Sequence, residues 1–74
     1  MFVPNSLRRL EQIILEELRN EKLTVYFEIM NYDPQTDVIA YNFAHIDPKQ
    51  EPPAKAKTIV KKHIEKWKKT YIKT

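Results

Sequence analysis

The chain reads as an α+β fold, a compact α-β-β-α domain whose antiparallel β-hairpin is covered on one face by two helices. Three observations predict it. Apolar residues near the start recur at helical spacing, the pattern then switches to alternation on both sides of an Asp-Pro turn, and a second helical stripe follows, embedded in lysine. All 74 residues are read as one domain.

The first helix, about 6–20, rests on Leu7, Leu10, Ile14 and Leu18, flanked by Ile13 and Leu15, an apolar face broad enough to lie on a core. Asn5 or Ser6 can cap its start, and Asn20, which tolerates left-handed backbone, can end it. In the first strand, about 23–32, Leu23, Val25, Phe27 and Ile29 alternate with Thr24, Tyr26, Glu28 and Met30. The second strand, about 38–46, follows Asp33-Pro34-Gln35-Thr36-Asp37, where proline presets the first turn position and Asp33 can bond back to the backbone. In the last helix, about 53–72, Pro52 and Pro53 suit the first turn, and Ala56, Val60, Ile64, Trp67 and Tyr71 form a stripe that places Trp67 in the core.

Register decides which side chains share a face. A loop of Pro34 to Asp37 puts Asp37, rather than the β-branched Thr36, in the left-handed region. Asp33 then faces Val38, and pairing continues residue for residue. One face becomes Leu23, Val25, Phe27 and Ile29 with Ala40, Asn42, Ala44 and Ile46, aliphatic and suited to helices lying close on it. The other becomes Tyr26, Glu28, Met30 and Tyr32 with Ile39, Tyr41, Phe43 and His45, aromatic and thinly polar. Such a face invites burial against a second copy or another protein. Glu28 is the one acid expected in an apolar setting, and there it needs His45 or a tyrosine hydroxyl as partner.

Composition narrows the function classes. There is no glycine, which excludes phosphate-cradling loops, dinucleotide fingerprints and a glycine-lined nucleophile elbow. There is no cysteine, so neither a disulfide nor a thiolate metal site exists, and a reducing cytoplasm suits the chain. No apolar run approaches the roughly 20 residues of a membrane span, and no signal-peptide pattern opens the sequence, so a cytoplasmic protein without membrane contact is expected. A chain this short buries only about 60% of its unfolded surface, which makes a homodimer the natural way to complete its core.

Charge is divided unevenly along the chain. Residues 54–74 hold eight lysines and one acid, Glu65, whereas residues 1–53 hold five basic and nine acidic side chains. A concentrated positive face raises the local density of anionic partners. Lys55, Lys62, Lys66, Lys69 and Lys73 share one flank of the last helix and are the candidate nucleic-acid contacts. The helix has no arginine, so such contact is non-specific. The bland alternatives are a solvated face, or pairing with Glu11, Glu16, Glu17 and Glu21 of the first helix.

The element order is similar to that of the double-stranded RNA-binding domain, a helix, three strands and a helix, with Lys55, Lys57, Lys61 and Lys62 where that family carries basic residues. The third strand and the glycine-bearing turn are missing here. His45 and His63 are the only imidazoles, and neither converges with enough ligands for a metal. The expectation is therefore no catalytic residue, metal, cofactor or small-molecule substrate. The reading is a small non-enzymatic protein-interaction module, self-associating through the aromatic hairpin face. A non-specific nucleic-acid-binding protein is the alternative, and a small inhibitor or regulator of another protein comes third.

Overall fold

In the computed structural model, which describes residues 3–71, the order is α-β-β-α. Helix α1 spans Asn5–Asn20, strands β1 and β2 span Val25–Asp33 and Val38–His45, and helix α2 spans Ala54–Tyr71. The two strands form one antiparallel sheet. Leu7, Leu10, Ile14 and Leu18 of α1 meet Phe27 and Ile29 of β1, Ile39 of β2, and Ala56, Ile59, Val60 and Trp67 of α2 in a single buried cluster. Trp67 stands edge-on to the Tyr32 ring, with centroids 5.4 Å apart. Replacing such a buried indole by alanine typically costs about 3–5 kcal/mol.

The helix ends are built differently from the sequence expectation. Pro4, not Asn5 or Ser6, occupies the cap of α1, and its carbonyl accepts the N–H groups of Leu7 and Arg8 at 3.0 and 3.1 Å. At the other end Lys22, not Asn20, takes the left-handed conformation, with φ 57°. Lys22 N–H donates to the Arg19 carbonyl and Leu23 N–H to the Leu18 carbonyl, both at 3.0 Å. That pair of bonds is a Schellman closure, and it draws Leu23 back onto the core beside Leu18. The carbonyl of Pro53 accepts the first bond of α2 from Lys57, so both prolines precede the helix.

The hairpin turn follows the expectation. Asp33 faces Val38, Asp37 has φ 59°, and its N–H donates to the Asp33 carbonyl at 2.8 Å. The Asp33 carboxylate accepts the Gln35 N–H at 2.9 Å. This bond, with help from Thr36, holds the carboxyl below the usual aspartate value.

Beyond three pairs the register departs from the expectation. A β-bulge lies between Ile29 and Asn31, so the pairs become Ile29 with Tyr41, Phe27 with Phe43 and Val25 with His45. One extra residue, Met30, turns the earlier half of β1 over relative to β2. The two faces drawn from residue-for-residue pairing are thereby recombined. Tyr32, Ile39, Tyr41, Phe43 and His45 lie on the helix side with Val25, Phe27 and Ile29, as the Phe27–Tyr41 and Phe27–Phe43 ring contacts at 5.4 and 6.3 Å show. Tyr26 and Glu28 lie on the outer side with Asn42 and Ala44. A single aromatic outer face does not form.

Candidate protein-docking site

The bulge sits where α1 grips β1. Glu11 follows Leu7 by four residues, so it points with the apolar stripe into the core and is buried. Its Oε2 accepts the Ile29 N–H at 2.7 Å. Arg8 Nη1 donates to the Ile29 carbonyl at 3.3 Å and to Glu11 Oε2 at 3.2 Å. A carboxylate and a guanidinium thus take both outward peptide groups of Ile29, as a neighbouring strand would. Charge-assisted bonds of this kind are about twice as strong as neutral ones. The β1 edge is closed at that point.

The consequence for β2 follows from antiparallel geometry. Residues opposite one another alternate between pairs that exchange hydrogen bonds and pairs that turn their peptide groups away. Ile29 turns its groups outward, so its partner Tyr41 does the same, and so do Ile39 and Phe43 at alternate positions along β2. Among the described residues, no hydrogen bond from another segment reaches these groups. From Val38 to Ala44 there is no charge and no proline, the devices that ordinarily blunt an exposed edge.

The side chains of the same residues line a groove of 570 Å³ between β2 and α2. Ile39, Tyr41 and Phe43 supply the strand wall, and Val60 and Ile64 the helix wall. Burial fades across the sheet: Ile29 is 1% exposed, Ile39 8% and Tyr41 41%. Helix α1 covers β1, α2 leans on α1, and the apolar side of β2 stays half open. Lys57, Lys61 and Lys68 stand along the helix rim with Glu65.

The other flank of α2 faces α1. Lys55 pairs with Glu21, Lys62 Nζ with Glu17 Oε2 at 3.3 Å, and His63 Nε2 with Glu17 Oε1 at 2.7 Å. The His63 contact above all, with Lys62, holds the Glu17 carboxyl below its ordinary value. Pairing between the helices is thus realised for Glu17 and Glu21. Glu11 is turned to the sheet instead, and Glu16 has no ion pair among the described residues. Of the five lysines expected to meet nucleic acid, Lys55 and Lys62 are engaged, Lys66 and Lys69 have no carboxylate partner among the described residues, and Lys73 lies outside them.

The eight residues expected at an interface are dispersed. Five border or approach the groove side, whereas Tyr26 and Glu28 point away and Met30 occupies the bulge. The Tyr26 hydroxyl donates to Glu28 Oε1 at 2.7 Å, which raises the phenol's pKa, and Glu28 is exposed. The buried acid is Glu11, not Glu28. Tyr32 is half-buried; desolvation, then its bond to Asp37 Oδ1 at 3.2 Å, raises its pKa. His45 Nδ1 accepts the Asp47 N–H at 2.9 Å, so the neutral ring carries its proton on Nε2, 3.4 Å from Thr24 Oγ1. That ring organises the exit of β2.

Among the described residues, no three of histidine, cysteine, aspartate and glutamate gather as a metal site, and no helix is long and apolar enough to cross a membrane. No family model, curated protein or solved structure matches the chain.

Proposed function

We propose that the protein is a non-enzymatic protein-interaction module that accepts an extended segment along the open edge of β2. One observation carries this reading: Arg8 and Glu11 close the β1 edge at Ile29, while the uncharged β2 edge stands unpaired beside an apolar groove. In strand addition the main chain supplies affinity and alternate side chains enter pockets. Here the outward peptide groups and the groove-lining side chains belong to the same residues, Ile39, Tyr41 and Phe43. A cysteine-free module of this kind suits a reducing cytoplasm.

Selection from a displayed library of random peptides tests the reading. Selected peptides should perturb the backbone amides of Ile39, Tyr41 and Phe43 in nuclear magnetic resonance spectra. Binders that map only to the outer face of the hairpin, or to the α1–α2 surface, would contradict it.

A further inference from the structure

Resting on that reading, we infer that the occupant is an extended acidic segment of another protein, with apolar residues at alternate positions and carboxylates at both ends. The groove's wall chemistry supports this. Its centre is apolar, formed by Tyr41, Phe43, Val60 and Ile64. Its helix rim carries Lys57, Lys61 and Lys68 against one carboxylate, Glu65. None of the three lysines has an ion-pair partner among the described residues, in contrast to Lys55 and Lys62 on the opposite flank. Three unpaired lysines of α2 thus border the open edge, and Lys66 and Lys69 stand unpaired among the described residues on the far flank.

The spacing sets the occupant's length. Lys57 and Lys68 are separated along α2 by about 16 Å at roughly 1.5 Å per residue. A strand covers that distance in about five residues at roughly 3.3 Å each. Three alternate side chains of such a strand enter the groove, and its two ends reach the outer lysines. A second copy fits the main-chain requirement but not the charge. Pairing β2 with β2 about a two-fold axis turns the same lysine-bearing flank of each α2 toward the other, and like charges across an interface are unfavourable.

The test uses the intact chain and three synthetic peptides: DEVTVTVED, its counterpart KKVTVTVKK, and the acidic peptide N-methylated at alternate residues. The acidic peptide should bind and shift the amides of Ile39, Tyr41 and Phe43. The lysine-ended peptide should bind about tenfold more weakly or worse, a difference of about 1.4 kcal/mol. N-methylation, which removes strand donors, should abolish binding. Changing Lys57, Lys61 and Lys68 together to glutamine should weaken the acidic peptide and narrow the gap between the two. Lys57 and Lys61 are exposed and Lys68 is half-buried, and the peptide comparison also stands on the unaltered protein. Equal binding of acidic and basic peptides at β2 overturns the inference and leaves the interaction-module reading in place. Self-association through the same amides, with no acidic peptide bound, does likewise and identifies a second copy. An edge that takes neither peptide nor a second copy overturns both.

Discussion

The Glu11 carboxylate accepts the Ile29 backbone N–H at 2.7 Å, across eighteen residues of sequence and from a different element. This bond, with the Arg8 contact to the Ile29 carbonyl, coincides with the register shift after Ile29. The bond lies where α1 crosses β1, and the register shift there sets which side chains of β2 face the helices.

Removing the carboxylate should cost stability at that point. Glu11→Ala strands the buried Ile29 N–H, a loss of about 1–3 kcal/mol. Glu11→Gln keeps an acceptor for Ile29 and should cost less. Urea denaturation checks both; a Glu11→Ala variant as stable as the parent would mean that the bond is immaterial.

Lys22 holds left-handed backbone in a chain without glycine. Lys22→Gly removes a conformational cost of about 1 kcal/mol and should raise the thermal midpoint by about 4–8 °C. An unchanged or lowered midpoint would contradict the Schellman closure.

Stability should rise with pH through the acid range. Glu17 and Asp33 both have native pKa values below their ordinary ones, so the unfolded chain binds protons more readily. Their contribution is complete above the unfolded carboxylate values, near pH 4, and is lost as pH falls from there through the native values. Melting curves of Glu17→Gln combined with Asp33→Asn should show a flatter acid limb; an equally steep limb would place the acid sensitivity elsewhere.

Duplex DNA should bind weakly if at all. With Lys55 and Lys62 held by Glu21 and Glu17, the lysine flank offers Lys66, Lys69 and, outside the described residues, Lys73. A log–log salt slope of about −2 to −3 is then the limit. A measured slope near −5 would show that lysines beyond this flank, either the paired Lys55 and Lys62 or those of the groove rim, also meet phosphate.

Helical spacing and alternation made the four elements legible, and the left-handed tolerance of Asp37 made the turn legible. The bulge was not. It coincides with a contact between α1 and β1, which no local pattern in β1 records. Its trace in the sequence is Glu11, a charged residue at a stripe position between Leu7 and Ile14, where a buried acid demands a donor. Read that way, Glu11 would have pointed to the closed edge of β1. The open β2 edge depends in turn on the register the bulge sets, so residue-for-residue pairing puts Tyr41 and Phe43 on the wrong side of the sheet.

Residue-resolved amide hydrogen exchange of the unbound chain tests the asymmetry of the two edges most directly. The Ile29 amide should exchange slowly, protected by Glu11, while those of Ile39, Tyr41 and Phe43 exchange at rates near those of open chain. Slow exchange at Tyr41 and Phe43 together with fast exchange at Ile29 would contradict the account.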